Sequence, residues 1–304
     1  MKPARLDQDA IVAALKGQAL RISDLTRFFH AGDAALEALA LYAVWLVCWD
    51  DAVDAGEGDL AGDFEGAERW RRRTLEMVRG ALRIDGAEDA DADAINAVFR
   101  DFGARFGQTA PAEQRRRLSE EIGFFIASCG VEQRLRLERR IPDYDSYMGF
   151  RMGTVGGATL CSLVEHATGS PLPDAIAAAR PACALWTQVS ILLTFINDLL
   201  SLKKELGADC VINAVAALLA SERDLDAVVR ELEGRIRVAV GEFDGAAAEL
   251  LAGVEGDEVQ SSVVTRYIDG CRSIVTGMLE FTLRSPRYNI AKLLRDDGSL
   301  EIVL

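Results

Sequence analysis

Two groups of oxygen-bearing side chains in this sequence have the spacing to do chemistry. The first lies in Trp45-Leu46-Val47-Cys48-Trp49-Asp50-Asp51-Ala52-Val53-Asp54, where an apolar run ends in two carboxylates and a third follows one turn later. On a helix, Asp50 and Asp54 share a face, about 40° apart. Two carboxylates about 5 Å apart repel by about 3 kcal/mol at an effective dielectric of about 20, and a helix C-terminus disfavours negative charge further. Stability alone does not select that cluster. A divalent cation turns the repulsion into attraction, and oxygen-only donors suit Mg²⁺. The alternative is a solvated helix end running into the acidic stretch Glu57 to Asp59. The second group is Asn197, Ser201 and Glu205, set four apart in Leu193-Thr194-Phe195-Ile196-Asn197-Asp198-Leu199-Leu200-Ser201-Leu202-Lys203-Lys204-Glu205. That spacing stacks an amide, a hydroxyl and a carboxylate along one helix face over two turns. Leu199, Leu200 and Leu202 fill much of the remaining circumference, so the polar stripe needs a partner. A hard cation is one; the polar face of an amphipathic helix is the bland alternative.

The elements that must carry these groups are helices. Apolar residues recur at helical spacing over Ala34 to Asp50, Gln114 to Arg139, Leu185 to Leu206, Asp224 to Leu251 and Ser261 to Leu283. No segment reads as a strand and no hairpin dipeptide separates alternating runs. Breaks fall at Gly56 to Gly62, Ile84 to Asp89, Gly107 to Pro111, Ile141 to Asp143, Gly169 to Pro173 and Leu251 to Asp257. This predicts an all-α, single-domain bundle of about ten helices spanning residues 1–304. The 304 residues are 50% hydrophobic and 27% charged, which excludes a disordered chain and supports a large core. No apolar run reaches the roughly 18 residues of a membrane span. Met1 to Asp9 carries no apolar signal core, so a cytoplasmic protein is expected. A net charge of −14 argues against general nucleic-acid binding. Six cysteines (Cys48, Cys129, Cys161, Cys183, Cys210 and Cys271) form no Cys-x-x-Cys pair and are expected as reduced core residues. Only two histidines, His30 and His166, leave little for a histidine-based metal or nucleophile site.

The two stripes together resemble the paired metal motifs of class I terpene synthases of the bacterial and fungal type. Asp50-Asp51-Ala52-Val53-Asp54 is similar to the family's aspartate-rich motif, and Asn197 to Glu205 to its second motif, with every defining position present. Arg151 lies 46 residues before Asn197, where the family carries its diphosphate-sensing arginine. Arg287-Tyr288 resembles its C-terminal Arg-Tyr pair. Three places depart from the pattern. The segment before the first motif is short, Leu46 and Val47 stand where bacterial members often have aromatics, and Thr154-Val155-Gly156 replaces an acidic linker.

The resemblance implies ionisation of a linear allylic prenyl diphosphate followed by cyclisation, with three Mg²⁺ ions. Asp50 would bridge two ions, Asn197, Ser201 and Glu205 would chelate the third, and Asp51 and Asp54 would support the site. Arg151, Lys204, Arg287 and Tyr288 would bind diphosphate. Leu46, Val47, Trp49, Phe150, Val155, Trp186, Phe195 and Phe281 are candidates for the apolar wall, with core packing the alternative for Trp49, Phe150, Trp186 and Phe195. Tyr144 and Tyr147 fit lining or surface. Gly153, Gly156 and Gly157 either expose a carbonyl to the cavity or allow close helix packing. Small side chains at Leu46 and Val47 favour geranylgeranyl diphosphate, making a diterpene synthase the expectation and a farnesyl diphosphate-using sesquiterpene synthase the alternative. A chain-elongating prenyl diphosphate synthase fits less well, since a second aspartate-rich motif is missing. A non-catalytic helical diphosphate-binding protein fits less well too, because the motifs are complete. The family often forms homodimers.

Overall fold

Aspartate and asparagine punctuate the chain at helix starts. The side chains of Asp63, Asp93, Asp143, Asn213, Asp224 and Asp257 each accept a hydrogen bond from a backbone N–H two or three residues on. Each thereby satisfies a donor that the first helical turn leaves free. The computed structural model describes residues 19–22, 36–53, 58–84, 86, 92–208, 211–220, 224–295, 297 and 299–304. Asp54, His30 and Cys210 lie outside the described residues.

Eight of the described helices have eleven residues or more: α1 (Leu36–Val53), α2 (Phe64–Ala81), α3 (Ala94–Thr109), α4 (Ala112–Leu137), α5 (Tyr144–Thr154), α9 (Arg180–Gly207), α11 (Leu225–Ala252) and α12 (Glu258–Arg284). Four short ones complete the set: α6 (Gly157–Cys161), α7 (Val164–Thr168), α8 (Asp174–Ala177) and α10 (Ala214–Leu219). Two apolar clusters form the interior. One is built mainly from α1 to α4, with Trp45, Trp49, Trp70, Phe99 and Phe125 at its centre. The other gathers around α9, which packs chiefly on α11 and α12. Leu160 of α6 packs against both. By length and composition α9 could cross a membrane, but 61% of its most apolar window is buried among the other helices.

Helix α9 passes close to α6. A Cβ added at Gly157 would fall 2.6 Å from Ser190 Oγ and 2.9 Å from its Cα. One at Gly153 would fall 2.2 Å from Ser128 Oγ on α4. Both glycines serve close packing. Gly156 between them has φ +69°, the left-handed region that glycine enters at no steric cost. Its carbonyl accepts from Thr159 Oγ1 and the N–H of Leu160, which starts α6.

Two expectations need correction. The structure contains strands: β1 (Ala19–Ile22) pairs antiparallel with β2 (Leu300–Val303), Ala19 opposite Val303. A four-residue pairing between segments so far apart in sequence leaves no local periodicity to detect. The cysteines are not uniformly core: Cys129, Cys161 and Cys271 are buried, but Cys48 and Cys183 are exposed, because an apolar stretch of helix still turns one side outward. All five are free thiols.

Candidate active site

Asp50 and Asp51 sit in the last turn of α1, which contains no basic residue of its own. The compensating charge comes from elsewhere. Arg136 of α4 donates from Nη2 to the carbonyl of Val53, the last residue of α1, at 2.5 Å, and to that of Ala61 at 3.1 Å. Gln133 donates to the Leu60 carbonyl at 2.8 Å and is itself held by Arg71 Nη1 at 2.8 Å. Helix α4 thus fixes the end of α1 and part of the chain that follows.

Across from this helix end lies the polar stripe of α9. Asp50, Asn197, Ser201 and Glu205 line one cleft of about 180 Å³, together with Arg151, Lys204, Arg287, Tyr288, Glu132, Gln133, Arg136, Cys129 and Thr154. Most of the polar residues expected from the sequence therefore meet in a single place. Ser201 Oγ donates to Glu205 Oε1 at 2.5 Å, and Asn213 Nδ2 donates to Glu205 Oε2 at 2.9 Å. Burial and the neighbouring Asp198 push the Glu205 carboxyl up to about 8. Cys129 donates from Sγ to Asp50 Oδ1 at 3.8 Å; burial and the Asp50 charge raise its thiol and keep it neutral.

Arg151 occupies the last turn of α5. Its Nη2 donates to Asn197 Oδ1 at 2.6 Å and to Asp198 Oδ1 at 2.9 Å, and its Nη1 to Thr154 Oγ1 at 3.3 Å. Burial opposes its charge, but Tyr147, Asp198, Glu132 and Glu205 together hold its pKa well above the ordinary value. Arg287 grips Asp51 with both arms of its fork, Nη2 to Oδ1 at 2.6 Å and Nη1 to Oδ2 at 3.1 Å. Asp51 therefore faces a cation of its own chain and does not line the cleft. Tyr288 accepts a 3.5 Å hydrogen bond from Asn197 Nδ2.

The apolar candidates disperse. Trp49 is fully buried, stacked on Trp70 at 4.9 Å between centroids, with its indole N–H donating to Thr74 Oγ1 at 3.1 Å. It is a core residue, because α1 turns that edge toward α2 and α3. Phe150 and Phe195 are buried in the second cluster, and Trp186 packs against it, donating to the Tyr267 hydroxyl. Val155 also packs against that cluster, and Leu46 lies beside Gly156. Val47 and Phe281 are 43% and 53% exposed. None of these eight side chains lines the cleft itself. Tyr144 is part-buried under the Arg235 guanidinium, and Tyr147 is fully buried with its hydroxyl donating to Asp198.

Sequence reasoning gave Asp198 no role, yet it is fully buried and accepts from Tyr147, from Arg151 and from the Ala214 N–H at 2.8 Å. Its place beside Asn197 in a buried helix was the available signal. Asn213 and Arg136 offered none, since their partners lie in other elements.

The donors fit a hard divalent cation. Among the described residues no three of His, Cys, Asp or Glu converge; the set is instead mixed, with amide, hydroxyl and carboxylate oxygens on α9 opposite a carboxylate of α1. The Glu205 carboxyl, raised by burial beside Asp198, is the kind of group that a bound cation would ionise. The buried Nε of Arg151 has no hydrogen-bond partner, leaving donor capacity for an anion.

Residues 42–241 match the family described as terpene synthase family 2, C-terminal metal binding. The chain is 28% identical over 281 residues to the sesquiterpene cyclase hepA of Aspergillus oryzae, covering 88% of this chain and 76% of that one. Over 285 residues it is 26% identical to pristinol synthase of Streptomyces pristinaespiralis, covering 89% and 73%. The crystal structure of linalool/nerolidol synthase from Streptomyces clavuligerus in complex with 2-fluorogeranyl diphosphate shares the fold, with a TM-score of 0.72 at 19% identity over 86% of this chain and 84% of that one. The matched span holds Asp50, Arg151 and the α9 stripe, and the all-α architecture is the same. This chain belongs to the terpene synthase family: it is a class I terpene synthase of the bacterial and fungal type, a lyase acting on prenyl diphosphates.

Proposed function

We propose that the enzyme ionises a linear prenyl diphosphate in a Mg²⁺-dependent step and cyclises the allylic cation, releasing diphosphate. The observation that carries this reading is the meeting of Asp50 from α1 with Asn197, Ser201 and Glu205 from α9 in one cleft that also holds Arg151, Lys204, Arg287 and Tyr288. Asp50 on one side of the cleft and Asn197, Ser201 and Glu205 on the other would hold the Mg²⁺. When bound, Mg²⁺ supplies the positive charge that stabilises the departing diphosphate. As the C–O bond breaks, its electron pair leaves with the diphosphate. Arg151 meets the growing charge through its Nε donor, Arg287 with the positive charge it brings to the cleft, Lys204 with a point charge, and Tyr288 with its hydroxyl. The carbon cation then needs a wall without water. Val47 lies three residues before Asp50 and Phe281 six before Arg287, and both apolar side chains are left uncovered, which suits a surface that substrate covers. Leu46 and Val155 adjoin Gly156 and are assigned to the same wall.

For chain length, relatives named as sesquiterpene cyclase hepA and sesquiterpene synthase Agr3 of Cyclocybe aegerita favour a fifteen-carbon substrate. A twenty-carbon substrate is the second reading, resting on Leu46 and Val47 standing where bacterial members often carry bulkier aromatics. Diphosphate release measured with farnesyl and geranylgeranyl diphosphates, with mass analysis of the extract, tests both. The larger kcat/KM identifies the substrate. The class of reaction itself is tested with EDTA and with Asp50→Ala. Both are expected to abolish release while the circular dichroism of the variant stays helical. Undiminished turnover in either case removes the metal reading.

A further inference from the structure

Asn213 lies between α9 and α10, eight residues beyond Glu205 and 1% exposed. Its Oδ1 accepts from the Ala216 N–H at 3.1 Å and caps α10. That bond decides which way the amide faces, because only the oxygen can accept, so the nitrogen is turned to the site. Nδ2 donates to Glu205 Oε2 at 2.9 Å and to the Asp198 carbonyl at 3.4 Å. The segment around Asn213 is fixed independently. Val211 is fully buried, Ile212 nearly so, and the Ala214 N–H donates to Asp198 Oδ2 at 2.8 Å. Glu205 is thus held from both sides, with Ser201 on Oε1 and Asn213 on Oε2.

We propose that Asn213 is a positioning residue that fixes the Glu205 carboxylate for metal binding, beyond its part in capping α10. A carboxylate on a helix has three rotatable bonds, and a single hydroxyl contact from its own helix leaves it free to swing. The Asn213 amide, anchored to a different element, removes that freedom. Each Glu205 oxygen keeps a second lone pair for a cation in the cleft. The proposal rests on the metal reading above.

The experiment separates capping from positioning. Ser and Asp cap helices about as well as Asn, but neither presents an amide donor. Thermal unfolding of the full chain is followed while Mg²⁺ is titrated at fixed inorganic diphosphate, for the parent, Asn213→Ser, Asn213→Asp and Glu205→Ala. Asn213→Ser should keep the ligand-free Tm near the parent's and raise the Mg²⁺ concentration at half-maximal Tm shift about tenfold or more. Asn213→Asp should raise it further, because a carboxylate then faces Glu205. An Asn213→Ser midpoint equal to the parent's overturns the proposal. So does a lowered ligand-free Tm in both Asn213 variants with an unchanged midpoint, which assigns the amide to fold stability alone. A parent-like Mg²⁺ response in Glu205→Ala removes the metal reading itself. Loss of response in Glu205→Ala alone removes only the role of Asn213.

Discussion

Arg151 is bound by acceptors of three kinds: the Asn197 amide oxygen, the Asp198 carboxylate and the Thr154 hydroxyl. Such a set needs a planar fork, because the acceptors lie at separate points around the guanidinium. Arg151→Lys is therefore expected to fold and to lose roughly tenfold or more of its turnover, since an ammonium cannot meet them together. Turnover like the parent's in diphosphate-release kinetics would reduce Arg151 to a structural role. Asp198 answers Arg151 from the protein side, fully buried against a side chain only 12% exposed. Asp198→Asn removes the one carboxylate in direct ion-pair contact with the guanidinium among the described residues. The expected loss is about 3 kcal/mol in urea denaturation.

At the scale of elements, the site depends on how closely two backbones approach. Helix α6 presses Gly157 against Ser190 of α9, three residues before the Leu193 at which the α9 motif segment begins. A methyl group at Gly157 meets both the side chain and the Cα of Ser190, so neither a rotamer change nor a small shift clears it. Gly157→Ala should cost about 1–3 kcal/mol through overpacking. The same displacement moves α9 relative to α1, so turnover should fall by more than the stability loss alone explains. Denaturation midpoints alongside kcat measured well below the Tm check both effects; a parent-like kcat would show that α6 does not set the height of the stripe. Helix α1 has the complementary problem. Its carboxylates crowd a C-terminus, and Arg136 of α4 stabilises that end by reaching the Val53 and Ala61 carbonyls.

In the whole molecule, remote segments tie the bundle together. Arg287 reaches Asp51 across 236 residues of sequence. Strands β1 and β2 join segments that are further apart still, and β1 packs on α11. Leu300 and Ile302 of β2 are buried within the larger apolar cluster. Ile302→Ala should cost about 2–4 kcal/mol. A chemical denaturation midpoint unchanged by that substitution would show that the paired strands are an ornament on the bundle and not part of its core.

Periodicity and i,i+4 spacing are local properties, and they were enough to set the helical class, most of the breaks and the face shared by Asn197, Ser201 and Glu205. A helix fixes those relations through its own backbone hydrogen bonds, whatever it later packs against. What each face meets is not local. That Arg287 pairs with Asp51, that Asp198 anchors Arg151, that Asn213 holds Glu205 and that Trp49 stacks on Trp70 and not in a cavity were decided only when the helices packed. So was the pairing of Ala19–Ile22 with Leu300–Val303. Those choices come from the sum of many weak contacts between elements far apart in sequence, and each residue's own neighbours in the chain carry no record of them.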